Sequence, residues 1–380
     1  MEIVRLKAEH YDALLALLNL AFTRKNKREM DFLRDIPKMW VRDDAHMGKH
    51  IGIFEGGRLV AAMGIYPFDA FVGGVPLRFA TTGNIAVHPD VEGRGLMGAM
   101  MDYAMEELDR LGVDVARLGG LRSRYNRYGF ESCGQVYTFN FTEKNRQRRL
   151  PLAGRGVTFR QMSAEDTEAL DFAAALYNRG AIAVPRTAEG AWLAMTTWQN
   201  TPYLALCDGT PIGYVVANTQ GNVIAELAAK DTATLADTVA AWQARVGASI
   251  SFSLPPYAVE AVRLFSQVCE SSAIQSPSHF RVIHWDKLIG ALLALKLSYC
   301  RLPEGTLCLD ILGWGRVRLT VKEGVATCER TEDTADITLD PLAAARYIFG
   351  PYPPVCTAEA PPVATAWFPL PLSWNGQDRV

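Results

Sequence analysis

One stretch, Gly83 to Met101, constrains the fold of this chain more than any other. It predicts a short apolar strand, Ile85–Val87, that stops before Pro89, because proline cannot donate a hydrogen bond to a sheet. The glycine-rich loop Gly93–Gly95 follows, and apolar residues at helical spacing then predict a helix that ends at Gly112. A strand, a glycine loop and a helix N-terminus bring free backbone N–H groups and the positive end of the helix dipole together. The stretch therefore predicts a site for an anionic group, to which the arginine of the loop adds a cation.

The residues after the helix narrow this prediction. The loop fits neither Gly-x-x-x-x-Gly-Lys-Ser/Thr nor Gly-x-Gly-x-x-Gly, so the key residues of triphosphate and dinucleotide loops are missing. A second strand (Val113–Leu118), a double glycine and Tyr125-Asn-Arg-Tyr-Gly-Phe130 come next. This series resembles the acetyl-CoA core of the GNAT N-acetyltransferases, whose loop reads Arg/Gln-x-x-Gly-x-Gly/Ala. Glu92 and Met97 depart from that consensus, whereas Val-x-Pro followed by Arg-Gly-Leu is similar to one branch, the enhanced-intracellular-survival (Eis) acetyltransferases.

The resemblance implies where acetyl-CoA, the only cofactor expected, binds. The loop and the first helical turn are expected to cradle its phosphates, and the strand before the loop to hold the pantetheine arm and thioester carbonyl through backbone N–H groups. A basic segment, Arg24–Arg28, is expected to be a solvated loop edge, with contact to a CoA phosphate as the alternative. The predicted cofactor-binding residues are Ile85, Ala86, Val87, Gly93, Arg94, Gly95, Leu96, Met97, Gly98, Gly120 and Leu121.

Acetyl transfer to an amine also needs an acid for the leaving thiolate and a base for the incoming amine. Tyr125 suits the first role, because a phenol has an ordinary pKa of about 10 and because it matches the GNAT tyrosine by its place five residues before Phe130. Tyr128 is the less favoured acid. The segment 80–87 contains no Asp or Glu, although many GNAT enzymes have a glutamate there. In the Eis family the base is the C-terminal carboxylate, which here belongs to Val380.

The end of the chain makes that role plausible. The segment Trp367–Trp374 is aromatic and apolar, unlike disordered tails, which bury nothing. We therefore expect the tail to dock, either in the active site of the first domain or, as the alternative, only on its own domain.

The order of predicted elements divides the 380 residues into three domains. Residues 1–150 form the catalytic unit, completed by a strand at Val136–Phe141, and a charged segment before Pro151 forms a linker. Residues 151–278 repeat the same order without a glycine loop between Ile224 and Leu235. Residues 279–380 form a helix–sheet–helix unit that resembles the sterol-carrier-type domain of the Eis proteins. The predicted fold class is α/β (α+β), with two GNAT-type mixed-sheet domains and a sterol-carrier-protein-like domain.

The composition limits the possible binding partners and the cellular location of the protein. A net charge of −2 gives no field that favours nucleic acid or a membrane surface. The seven cysteines form no Cys-x-x-Cys pair, and the six histidines show no metal-ligand spacing, which predicts reduced thiols and no metal. We also find neither a signal peptide nor an apolar run of about 18 residues. The expectation is a cytoplasmic N-acetyltransferase for a small-molecule or lysine-type amine, and the resemblance implies a homohexamer.

Two other functions stay open at this point. The first is a GNAT enzyme of another branch, with a water-relayed base and an inert tail. The second is a non-catalytic acyl-CoA- or lipid-binding protein, for which the departures at Glu92 and Met97 speak. Tyr125, in register with the GNAT acid, speaks against it, because a binding protein needs no acid there.

Overall fold

A computed structural model of the protein describes residues 2–145, 156–351 and 360–378. These residues fold into four sheets with helices packed on them. The strands, in chain order, are β1 Val4–Arg5, β2 His50–Glu55, β3 Arg58–Val72, β4 Val75–Val87, β5 Val115–Leu118, β6 Glu131–Cys133, β7 Val136–Phe141, β8 Val157–Gln161, β9 Ile182–Ala183, β10 Thr201–Cys207, β11 Thr210–Ala217, β12 Ile224–Ala229, β13 Ile250–Leu254, β14 Ser271–Gln275, β15 Ser278–Val282, β16 Gly305–Ile311, β17 Gly315–Lys322, β18 Val325–Arg330 and β19 Ile337–Leu339.

The α-helices are α1 Tyr11–Asn26, α2 Phe32–Asp35, α3 Asp44–Met47, α4 Leu96–Arg110, α5 Arg122–Tyr125, α6 Thr167–Asn178, α7 Ala188–Met195, α8 Thr232–Val246, α9 Val259–Val268, α10 Trp285–Tyr299, α11 Pro341–Phe349 and α12 Pro362–Trp367. Short 3₁₀ helices lie at Ala8–His10, Pro37–Met39, Pro89–Val91, Asn126–Tyr128, Thr197–Gln199 and Gly376–Asp378. None of the described helices is both long and apolar enough to cross a membrane.

The N-terminal domain is built on an eight-stranded mixed sheet. Its strands follow the order β1-β2-β3-β4-β5-β15-β6, and β9 pairs with β3. The double glycines of Glu55-Gly-Gly-Arg58 and Val72-Gly-Gly-Val75 predict two hairpins, and the structure confirms both. Alternate residues of β3 point to opposite faces, so Met63 packs with α4 whereas Ala62 packs with α1. The two helices therefore cover opposite faces of the same sheet.

Two strands are exchanged between the first sheet and the middle of the chain. We expected Val136–Phe141 (β7) to complete the first unit, and this prediction is wrong. β7 pairs instead with β13 and β14, because the rings of Phe139 and Phe141 join an aromatic cluster with Phe252 and Phe265. In return, β15 enters the first sheet between β5 and β6.

The middle domain contains the four-stranded sheet β12-β11-β10-β8 and the three-stranded sheet β13-β7-β14. Asp208-Gly209 between two apolar segments predicts a hairpin, and the structure confirms it, with Thr201 opposite Ala217 at its open end. The element order therefore repeats that of the N-terminal domain, and β12 and β13 correspond in that order to β4 and β5.

The C-terminal domain is a four-stranded sheet, β18-β17-β16-β19, between α10 and α11. One continuous apolar core joins this sheet to the first one, and it includes Phe79, Phe280, Trp285 and Leu319. The end of the chain is part of the same core through Trp367, Leu370, Leu372 and Trp374. The tail is therefore docked, as its composition predicts.

Candidate active site

The glycine loop leaves the N-terminus of α4 open. Gly95 is the residue before the helix, it has φ +78°, and no side chain caps the first helical N–H groups. Gly93 has φ +80°, a backbone conformation that favours glycine. The N–H groups of the first turn have no intrahelical acceptors, so together with the helix dipole they form an anion site.

The strand that leads to the loop has an unpaired edge. β4 runs parallel to β5, but the two pair only between Phe79–Thr81 and Val115–Arg117. Beyond Thr81, β4 continues to Val87 with its other edge bonded to β3. Its backbone groups on the β5 side are therefore free to bond an extended ligand placed between the diverging strands.

A cleft of about 680 Å³ joins these two features, and we call it the loop cleft. Nine of the predicted residues line it together, which are Ile85, Ala86, Val87, Gly93, Arg94, Gly95, Leu96, Met97 and Gly98. Its volume lies within the usual range for ligand sites. Gly120 and Leu121 are not part of this lining. Gly120 instead lies under the ring of Tyr125, and Leu121 is 59% exposed at the start of α5.

The charge of the loop cleft comes mainly from residues that we did not assign to the site. Arg94 pairs with Glu55 through two hydrogen bonds of 3.0 and 2.8 Å, so its charge is already balanced. The further cations of the lining are Arg24, Lys25, Arg124 and Arg127. We expected Arg24 and Lys25 to lie in a loop, but they belong to the last turn of α1. Burial, with the neighbouring charge of Arg124, lowers the pKa of Lys25. Such a cluster suits a ligand with several phosphate charges.

Tyr125 lies just beyond the carboxyl end of β5, where β4 and β5 diverge. Its side chain is buried, and burial raises the pKa of its phenol above the ordinary value. Tyr128 lies nearer the start of α4, since a Cβ on Gly98 would be 3.6 Å from its hydroxyl oxygen. Arg127 Nη2 donates a hydrogen bond of 2.6 Å to that oxygen. Both tyrosines are buried, and neither is among the residues that line the loop cleft.

The tail reaches the N-terminal domain at a second cleft, of about 360 Å³, which we call the tail cleft. The Trp374 ring lies 5.7 Å from that of Phe68 and 5.2 Å from that of Phe79. Four residues further on, Asp378 lines the tail cleft together with Phe68 and Thr81. Thr81 and Ile85 are both on β4, about 13 Å apart. The two clefts therefore lie along one strand. Val380 lies outside the described residues.

The tail cleft contains functional candidates that sequence reasoning missed. The lining includes Lys38, His46, Lys49, Tyr66 and Arg186. They come from separate segments of the chain, and no motif marks any of them. Among the described residues no three His, Cys, Asp or Glu side chains form a group that could hold a metal ion.

A buried polar chain supports the strand between the clefts. Asn84, with φ +53°, forms a bulge in β4, and its Nδ2 donates to the Tyr66 hydroxyl oxygen at 2.7 Å. That hydroxyl lies 2.8 Å from His50 Nε2. Burial raises the pKa of Tyr66 and lowers that of His50 to about 4. Both side chains are therefore neutral at pH 7 and fix the bulge without adding charge.

Comparison with a protein-family model identifies this architecture. Residues 2–133 match the model of an acetyltransferase (GNAT) domain. The match covers the N-terminal domain as far as β6, about a third of the chain. Comparison with curated protein sequences gives no match.

Solved structures share the fold over most of the chain, beyond the GNAT domain alone. A GCN5-related N-acetyltransferase from Anabaena variabilis gives a TM-score of 0.68 at 14% identity, covering 98% of both chains. Eis1 from Mycobacterium abscessus gives 0.66 at 17% identity, covering 99% of this chain and 98% of its own. A GCN5-related N-acetyltransferase from Kribbella flavida gives 0.61 at 22% identity, covering 89% and 86%. At these identities the likeness shows a shared fold.

The middle domain differs from the N-terminal domain at the N-terminus of the helix that corresponds to α4. The helix after β12 is α8, and its N-terminus is capped by Asp231, whose carboxylate accepts from Thr234 N at 2.8 Å. This carboxylate takes the place that an anionic ligand has at an open helix N-terminus. The segment that lacks a glycine loop therefore also lacks an open helix N-terminus.

Proposed function

We propose that the protein is an acetyl-CoA-dependent N-acetyltransferase that moves an acetyl group directly to a primary amine. The observation that carries this proposal is the open N-terminus of α4 beside the unpaired edge of β4, within a GNAT domain. The residues fit acetyl-CoA, because free N–H groups and cations line one end of the loop cleft and free strand groups line the other. The phosphates would lie at the loop, and Ile85–Val87 would hold the pantetheine arm and the thioester carbonyl.

Tyr125 is the proposed acid. Its raised pKa keeps the phenol protonated at neutral pH, so it can give a proton to the sulfur as the carbon–sulfur bond breaks. Its position beyond the carboxyl end of β5 supports this role. Tyr128, whose hydroxyl oxygen accepts from Arg127, is better suited to the phosphate end of the cleft.

The carboxylate of Val380 is the proposed base, which takes the proton that the amine loses as it attacks the thioester. Asp378 is the one carboxylate of the described residues in the tail cleft, and both of its oxygens already accept hydrogen bonds, from Arg186 and from Tyr177. Val380 is two residues further on, within about 7 Å of chain. The docked tail supports delivery of its carboxylate to the cleft.

The first test is thiol release from acetyl-CoA with a panel of amines, comparing the native chain with Tyr125→Phe. We expect Tyr125→Phe to lower kcat by about 10²- to 10⁴-fold with little change in acetyl-CoA affinity. Because the pKa of Tyr125 is raised, native turnover should not fall with pH on account of this group until the pH exceeds about 10. A loss confined to Tyr128→Phe would give the acid role to that residue. Acetyl-CoA binding without turnover of any amine would favour the binding-protein alternative.

The second test concerns the base. Val380→Ala keeps a carboxylate at the same place and should stay active. A glycine added after Val380 moves the carboxylate by up to about 3.6 Å, and a misplacement of about 1 Å can already cost about 10²-fold. We therefore expect the extended chain to lose turnover while it still binds acetyl-CoA. Full activity of the extended chain would assign the base role to water or to another side chain.

Two further expectations stay predictions. The homohexamer is checked by light scattering of the purified protein. The sterol-carrier-type character of the C-terminal domain is checked by whether purified protein retains or binds a lipid.

A further inference from the structure

The tail cleft contains two ammonium groups that form no ion pair with a carboxylate of the described residues, although the charge of Asp378 acts on Lys38. Lys38 Nζ donates to the main-chain oxygen of Gln377 at 2.6 Å, a neutral acceptor. Lys49 lies half-buried in the same lining. An ammonium group has three N–H donors, so both lysines keep donors for a ligand. Burial lowers the pKa of Lys38 to about 8, and it is still mainly charged at pH 7.

The acidic groups of this cleft are already engaged. Asp378 Oδ1 accepts from Arg186 Nη2 at 2.8 Å, and its Oδ2 accepts from the hydroxyl of Tyr177. Arg186 also holds Glu226 through bonds of 2.8 and 2.9 Å. His46 is paired with Asp43 outside the lining. The described lining therefore offers two lysine charges and no unengaged carboxylate.

From this arrangement we propose that the acceptor is a primary amine that also carries an anionic group, a carboxylate or a phosphate, bound by Lys38 and Lys49. The inference rests on the proposed acetyl transfer and names its substrate class. The rest of the lining includes Met39, Phe68 and Val184. These apolar side chains suit an acceptor with an apolar spacer between its amine and its anionic group. A polycation finds no free carboxylate among the described lining residues and is a poor acceptor.

The lysines act on the anionic group of the acceptor, and the amine lies at the other end of the spacer. An acceptor with its own anionic group gains attraction from the lysines that a simple amine lacks.

The experiment compares amines that differ by one anionic group. The pairs are phenylalanine with 2-phenylethylamine, 6-aminohexanoate with pentylamine, and phosphoethanolamine with ethanolamine, and spermidine represents polycations. We expect kcat/KM of the better anionic member to exceed that of its partner by about tenfold or more, a preference that falls as salt rises. Lys49→Gln should lower this ratio by about ten- to a hundredfold. Lys322→Gln removes an equal charge from an exposed site on β17 and should leave the ratio unchanged.

A readout without turnover separates this inference from the proposed function. N-acetylphenylalanine and N-(2-phenylethyl)acetamide are titrated into the native chain, Lys49→Gln and Lys38→Gln, with acetyl-CoA binding as the check on folding. Tighter binding of the anionic compound, lost in the lysine variants, supports the inference even if no amine is turned over, in which case the proposed function falls. Turnover with spermidine or the uncharged partners as the best acceptors, or a preference that the lysine variants do not change, overturns the inference and leaves acetyl transfer standing.

Discussion

Gly95 and Asp231 occupy corresponding places in the two GNAT-like domains, each one residue before a helix. Asp231 fills its own helix N-terminus with a carboxylate, whereas Gly95 leaves that of α4 open. The residue before the helix therefore distinguishes a capped helix N-terminus from an open one. This difference was predictable, because a glycine loop and its absence are local features of the sequence.

A carboxylate at position 95 should close the site in the N-terminal domain. Gly95→Asp puts a negative charge beside the expected position of the phosphates, and we expect acetyl-CoA affinity to fall by at least about tenfold. Gly112→Asp is the matched control at the other end of α4. Both glycines have positive φ, +78° and +63°, and a Cβ on either meets no atom within 4 Å. Equal acetyl-CoA affinity for the two variants, measured by calorimetry, would contradict a cofactor site at the loop.

The residues of the tail cleft could not be predicted from the sequence. The proposed roles of Tyr125 and of the loop could be predicted because both come from a local series of about 40 residues. Lys38, Arg186 and Asp378 meet only after three distant segments have folded together, and isolated basic and acidic residues have no pattern that predicts such a meeting. The expectation of a solvated loop edge at Arg24–Arg28 failed for a similar reason, since α1 extends far enough to carry Arg24 and Lys25 into the lining of the loop cleft.

Elements of the middle domain hold the tail in place. Gln377 is buried, and its Nε2 donates to the carbonyl oxygens of Ala194, Met195 and Thr197 around the end of α7. Arg186 stands between Glu226 on β12 and Asp378 of the tail, and the hydroxyl of Tyr214 donates to Glu226 at 2.8 Å. The middle domain therefore anchors the tail, a role that needs no cofactor loop.

Loosening this anchor should affect turnover more than cofactor binding. Glu226→Gln leaves buried Arg186 with Asp378 as its remaining carboxylate, and breaking a buried ion pair costs about 3 kcal/mol of unfolding free energy. We expect a clear fall in the denaturation midpoint and a fall in kcat, with acetyl-CoA affinity near that of the native chain. Glu329→Gln, at an exposed pair with Arg318, is the control and should leave both properties unchanged. Equal effects of the two variants would mean that the anchor does not position the tail.

The whole molecule is interlocked by exchanged strands. The sequence predicts most element positions, including both hairpins and the order of the middle domain, because apolar periodicity and glycine turns are local signals. It does not predict which sheet a short strand joins. β7 and β15 are both short, and the choice of partner depends on which buried face receives their side chains, a property of the assembled chain. The aromatic cluster around Phe139 decides it for β7.

The exchange predicts that the GNAT domain is not an independent folding unit. A chain that ends after residue 135 retains every residue of the loop cleft, but it lacks β15, which pairs with both β5 and β6. The edges of β5 and β6 then expose unpaired backbone groups, and the core loses Phe280 and Trp285. We expect this fragment to show no cooperative thermal transition and no binding of acetyl-CoA by calorimetry, whereas the full chain shows both. A second fragment that carries residues 276–299 through a flexible linker should regain part of the transition, because it restores β15 and α10. Cooperative unfolding of the shorter fragment, with acetyl-CoA affinity equal to that of the full chain, would show that the exchanged strand is dispensable.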